Sequence, residues 1–151
     1  MKKMRVLLVD DEQEFVETMA DRLKMRDLDA RTVYDGEAAL SVVKKEEPDV
    51  IVLDLKMPGI DGIETLRRIK KAYPKVEVII LTGHGSEKDE ETARSLGAFD
   101  YVTKPVDLDN LVPRIRDAFK QRMKKLEDMS AAVAFAEAGE FDTAKRMVED
   151  D

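Results

Sequence analysis

Four short runs of the chain are apolar from end to end or nearly so: Val6-Leu7-Leu8-Val9, Val50–Leu53, Val78-Ile79-Ile80-Leu81 and Tyr101-Val102-Thr103. A fifth, Ala30–Tyr34, alternates, with Arg31 beside Val33. Continuous apolar runs of this length suit strands buried on both faces, and the alternating one suits a sheet edge. After each run the period changes to that of an amphipathic helix. The spacing predicts helices over about Gln13–Met25, Glu37–Lys45, Ile63–Ala72 and Glu87–Leu96, and a long one from about Asp109. Turn signals fall between them: Asp35-Gly36, Pro48-Asp49, Pro58-Gly59, Asp61-Gly62, Tyr73-Pro74, Gly83, Gly85 and Gly97. Five strand–helix units with short connections predict an open, doubly wound α/β domain, its parallel sheet covered by helices on both faces.

That topology gathers chemistry in the crevice beyond the carboxyl ends of the strands. The residues there are Asp10, Asp11 and Glu12 after the first strand and Asp54 after the third. Thr82 ends the fourth, and Lys104-Pro105 follow the fifth. The second strand ends in Tyr34-Asp35, where Asp35 reads as a helix cap. Asp10-Asp11 on their own could be caps as well. Carboxylates crowded into a partly desolvated cleft repel by about 4 kcal/mol per pair at 4 Å and an effective dielectric of 20. They either take up protons or take in a cation. Hard oxygen donors in this number suit Mg²⁺, whose charge together with that of Lys104 balances Asp10, Asp11 and Asp54. A pocket holding a metal, an ammonium and a hydroxyl is suited to a phosphoryl group, and a carboxylate can be the nucleophile that accepts it.

Taken together, Asp10-Asp11, Asp54-Leu55-Lys56-Met57-Pro58-Gly59, Thr82-Gly83 and Tyr101-Val102-Thr103-Lys104-Pro105 resemble the receiver domain of two-component response regulators over about residues 4–122. The resemblance implies a flavodoxin-like fold, five strands in the order 2-1-3-4-5. It implies phosphotransfer to Asp54 from a sensor histidine kinase or a histidine phosphotransfer protein. Asp11, Asp54 and the backbone carbonyl of Lys56 would bind Mg²⁺ directly, and Asp10 largely through water. Lys104 would pair with phosphoryl oxygens, across a cis bond to Pro105. Thr82 would donate its hydroxyl to the phosphoryl group, and Tyr101 would turn from exposed to buried, changing contacts with an unidentified downstream protein. His84, the only histidine, and Lys56 flank the expected phosphate mouth, where such side chains tune water access. The expected protein is then a signalling receiver rather than an enzyme with a turnover of its own.

Three other readings compete. A phosphate shuttle or sink in a phosphorelay would use the same residues. A haloacid-dehalogenase-type phosphatase needs an acid two places past the nucleophile, where this chain has Lys56. A flavin binder would meet repulsion from Asp10-Asp11-Glu12.

Composition narrows the setting. The chain has 151 residues, a net charge of −7 and no cysteine, so disulfides and thiolate metal sites are excluded. The acidic balance argues against nucleic-acid binding. No run approaches the ~18 apolar residues of a membrane span, and the expected location is the cytoplasm. Past the receiver-like part, residues 123–151 form a candidate C-terminal extension. The stripe Leu111, Ile115, Phe119, Met123, Leu126 continues at helical spacing, and Gly139 with Phe141–Val148 suggests a helical hairpin. Such an extension would either cap the receiver or serve a homodimer or partner through the fifth helix. Pro113 falls inside the predicted fifth helix, so that helix either starts close before it or bends there.

Overall fold

The computed structural model describes residues 3–137. Five parallel strands stand in the order β2-β1-β3-β4-β5: β1 Arg5–Val9, β2 Asp29–Val33, β3 Val50–Leu53, β4 Glu77–Thr82 and β5 Asp100–Thr103. The helices between and after them are α1 Gln13–Met25, α2 Gly36–Lys45, α3 Gly62–Ala72, α4 Glu87–Ser95 and α5 Leu108–Glu137. This is the doubly wound, flavodoxin-like α/β order. The central strands β3 and β4 are buried throughout, whereas β2 lies at the edge with a mixed pattern, which is why only β2 alternates in sequence.

Successive side chains of each strand point to opposite faces, so two apolar layers form. On one face Val6, Leu8, Val50, Val52, Ile79 and Leu81 pack under α1 and α5, which contribute Val16, Leu23, Leu111 and Ile115. On the other, Leu7, Val9, Ile51, Leu53, Val78 and Ile80 meet Ala39 and Val43 of α2, Leu66 and Ile69 of α3, and Ala93 of α4. Each fully buried Leu, Ile or Val contributes about 1.5–3 kcal/mol relative to exposure.

Short polar side chains set the helix starts. The carboxylate of Asp35 accepts from Ala38 N–H at 2.7 Å, and that of Asp61 from Glu64 N–H at 2.8 Å. Ser86 and Asp89 form a reciprocal capping box. Asp107 accepts from Asn110 N–H at 2.9 Å and opens α5. Because α5 begins at Leu108, Pro113 is its sixth residue, just past the first turn, and the helix continues through it. The hydrogen bond that Pro113 cannot make is owed to the carbonyl of Asp109, an exposed residue that water can satisfy.

The inward line of α5 differs from the stripe the sequence suggests. Leu111, Val112, Ile115, Ala118 and Arg122 are buried, while Phe119, Met123 and Leu126 are only half-buried. A charged residue continues the apolar line because an acid waits for it. Arg122 Nε donates to Asp49 Oδ1 at 2.9 Å just before β3, and Lys125 pairs with Glu77 at the start of β4. The helix runs unbroken past residue 122 to Glu137. The expected break at Gly139 and the helix over Phe141–Val148 lie outside the described residues.

Candidate functional site

Parallel register brings the strand ends level. Val9 pairs with Leu53, so Asp10 and Asp54 are the next residues out on neighbouring strands. Thr82 pairs with Thr103, and Lys104 follows. The backbone reinforces this: Asp54 N–H donates to the Val9 carbonyl at 3.0 Å, and Lys104 N–H to that of Thr82 at 3.0 Å. Asp10, Asp54 and Thr82 are buried.

Lys104 reaches across β4 and β3 to the acids. Its Nζ lies 2.7 Å from Asp10 Oδ2, 3.3 Å from Glu12 Oε1 and 3.6 Å from Asp54 Oδ2. The Phe15 ring completes its surroundings, with the ammonium 4.4 Å from the ring centroid. Asp10 Oδ1 also accepts the Glu12 N–H at 2.9 Å, which turns the chain back over the pocket, and α1 begins with no side-chain cap. The first-strand acids are therefore not serving as caps. Asp54 Oδ1 accepts a long bond of 3.4 Å from Lys56 N–H. The peptide between Lys104 and Pro105 is cis.

Charge in this pocket is unbalanced. Burial pushes the Asp10 carboxyl above its ordinary value, although the hydrogen bonds from Lys104 and from the Glu12 backbone act to lower it. Burial alone would lower the Lys104 ammonium; its bond to Asp10 and the charges of Asp10, Asp54 and Glu12 reverse the sign and raise it. The two shifts differ in origin: burial sets the direction at Asp10, whereas at Lys104 the surrounding carboxylates together outweigh burial. Oxygens of Asp10, Glu12 and Asp54 all lie within 4.8 Å of one another. Three carboxylates against one ammonium leave two negative charges, so the donor set fits a small divalent cation.

Other candidates lie around this centre. Asp11 is exposed and stands outside the group of three. Lys56 and His84 are exposed at the rim, and Thr82 Oγ1 accepts the His84 N–H at 3.2 Å. Tyr101, read from the resemblance as starting exposed, is half-buried here, with its hydroxyl enclosed and lacking a hydrogen-bond partner among the described residues. The space it fills exists because residue 85 is glycine: a Cβ there would collide with the Tyr101 hydroxyl. Burial first, then the carboxylates of Asp89, Glu90 and Asp54, pushes the Tyr101 phenol above its ordinary value. Sequence reasoning placed Glu12 at the end of the first strand but left it out of the metal-binding set, and it missed Phe15 as a neighbour of Lys104. The first could have been found from its place two residues past Asp10. The second carries no signal, because an aromatic on an amphipathic helix reads as packing.

The family model of the response regulator receiver domain matches residues 6–116. The chain belongs to the response regulator receiver domain family. Among solved structures, this receiver is similar to a CheY-like response regulator receiver domain protein from Methanospirillum hungatei JF-1. That match has a TM-score of 0.79 and 23% identity, covering 82% of this chain and 99% of that one. It is also similar to the signal receiver domain of a putative Luxo repressor protein from Vibrio parahaemolyticus, with a TM-score of 0.77 and 31% identity over 85% and 98% of the two chains. A third similar structure is the BeF3-activated DrrB receiver domain, with a TM-score of 0.71 and 28% identity over 79% and 99%. Among the described residues no helix is long and apolar enough to cross a membrane.

Proposed function

We propose that Asp54 is the phosphoryl acceptor of this receiver and that the donor is a phosphohistidine of a sensor histidine kinase or a histidine phosphotransfer protein. The observation that carries this reading is the position of Asp54. It is a buried carboxylate with an ammonium 3.6 Å from one oxygen and only a long backbone bond on the other. Such a group is hydrogen-bonded too weakly to be structural and stands beside a cation able to receive negative charge.

In the transfer, an Asp54 carboxylate oxygen forms the new O–P bond while the P–N bond to the donor imidazole breaks, its electron pair leaving with the imidazole nitrogen. Asp54, Asp11 and the backbone carbonyl of Lys56 would hold Mg²⁺, with Asp10 and Glu12 close enough to share it, and the ion would supply charge that balances the phosphoryl oxygens. Lys104 exchanges part of its contact with Asp10 for a phosphoryl oxygen. Thr82, whose oxygen accepts from His84 N–H, keeps its own hydroxyl proton free to donate. Engaging that proton draws the loop after β4 toward Asp54 and alters the packing of Tyr101 against Gly85, which changes the surface offered to a downstream protein. The response is thus read out by protein contact, without turnover of a substrate.

The test is incubation with acetyl phosphate and Mg²⁺ followed by intact mass measurement. Wild type should gain one phosphoryl group and Asp54→Asn none. A gain of equal size in Asp54→Asn would overturn the assignment.

A further inference from the structure

Among the described residues four groups surround Lys104 Nζ: the carboxylates of Asp10, Glu12 and Asp54, and the ring of Phe15. The three carboxylates are the same three whose oxygens cluster within 4.8 Å as a potential cation site. Any divalent ion held there draws on the oxygens that now hold the ammonium. Unlike the carboxylates, the Phe15 ring is no ligand for a hard cation, so its contact with Nζ does not compete with an ion at the carboxylates.

The fold makes this contact dependable. Phe15 is the third residue of α1, a helix that starts three residues beyond Asp10, so the ring stands over the strand ends by the shortness of the connection. It packs against the core cluster shared by α1, α5 and the sheet. It also lines a small cavity bounded by Asp10, Asp54, Val16, Met19 and Leu81. It is also among the residues lining a cleft of about 770 Å³ between α1 and the start of α5. The Lys104 side chain is only 14% exposed, which places the ammonium–ring pair at a partly desolvated site, where such attraction exceeds that at an exposed one.

We propose that Phe15 is a positioning residue for Lys104, its ring face holding the ammonium beside Asp54 when a cation occupies the carboxylates. The kinetic part rests on Asp54 being the phosphoryl acceptor; the structural part does not.

The first experiment uses the full-length wild-type chain and no phosphoryl donor. Signals of the Lys104 ε-methylene should show an upfield ring-current displacement that persists when Mg²⁺ is added to saturation. It should vanish in Phe15→Leu, which keeps an apolar side chain, and remain in Phe15→Tyr, which keeps the ring. Absence of the displacement in wild type, or its loss on adding Mg²⁺, would overturn the proposal without recourse to any variant. The second experiment measures the rate of Asp54 phosphorylation by acetyl phosphate. Phe15→Leu should be slower by roughly fivefold to thirtyfold, the factor that cation–π attraction at a partly desolvated site supplies. Phe15→Tyr should stay near wild type. In a Lys104→Met background, Phe15→Leu should add no further loss; an equal loss there would show that Phe15 acts by packing and sink the proposal. If wild type accepts no phosphoryl group, the assignment of Asp54 fails, and the methylene signals still decide the role of Phe15.

Discussion

The guanidinium of Arg122 and the carboxylate of Asp49 meet in the interior, Nε to Oδ1 at 2.9 Å, at the end of the sheet opposite the phosphoryl-acceptor candidate. Both side chains are at most one-tenth exposed, and Arg122 also reaches Glu47 at 3.0 Å. Removing one member of a buried pair leaves the other charge uncompensated, which costs about 3–5 kcal/mol. Arg122 Nη1 already lacks a partner among the described residues, so the loss should fall at the lower end. Arg122→Met is expected to destabilise by about 3 kcal/mol in urea denaturation while leaving phosphorylation at Asp54 close to wild type. An unchanged urea midpoint would show that the pair contributes nothing net.

Two glycines near the acceptor should respond differently to one added methyl. At Gly62 a Cβ would run into the backbone of Asp54 and Leu55, which has no rotamer to yield. At Gly83 the nearest atom would be the Lys104 Cβ at 3.7 Å, an ordinary contact. Gly62→Ala is therefore expected to cost about 1–3 kcal/mol and to reduce phosphorylation, because the displaced backbone carries Asp54. Gly83→Ala should leave both within error. Equal behaviour of the two in thermal melts and acetyl-phosphate assays would contradict this.

Gly85→Ala tests the Tyr101 hydroxyl. With its place taken, the ring must swing outward, and the phenol loses the burial that raises its titration point above the ordinary 10.0. NMR titration of the Tyr101 ζ-carbon should show the variant ionising at lower pH than wild type, nearer 10.0. The opposite order would mean that the ring stays enclosed.

Metal dependence follows from the charge imbalance around Lys104. In chelator, Lys104→Met leaves Asp10, Glu12 and Asp54 facing one another with no ammonium, and its melting temperature should drop. Adding Mg²⁺ should restore more stability to this variant than to wild type, up to about 2.7 kcal/mol when the ion exceeds its dissociation constant a hundredfold. Asp54→Asn should lose most of the Mg²⁺ response. A response of the same size in all three proteins would place the ion elsewhere.

Most of the sheet is legible in the chain because its strands are buried on both faces. The runs at Val6–Val9, Val50–Leu53 and Val78–Leu81 have no other use, and their ends name Asp10, Asp54 and Thr82 directly. Strand limits shift by a residue where a polar group closes the ladder, as at Glu77, which is buried yet paired with Lys125. What the chain hides are contacts that violate patterning. Arg122 occupies an inward position of α5 that periodicity reserves for an apolar residue, so the eye moves to Phe119 and Met123, one position round the helix. Its reason for being there, Asp49, lies 73 residues earlier, and no local rule connects them. Phe15 is hidden for the opposite reason: it obeys the helical pattern, and its second role beside Lys104 shows only in three dimensions.

The inward line of α5 changes from hydrocarbon to cation where the strands begin, at Arg122 and Lys125. The helix is thereby indexed along its own axis. Sliding it by one turn, about 5.4 Å, would drag a guanidinium across Ile- and Val-lined surface and strand two buried acids, a barrier of several kcal/mol. Motion reaching α5 from the acidic end can pivot or roll it about that fixed far end, but cannot push it like a piston.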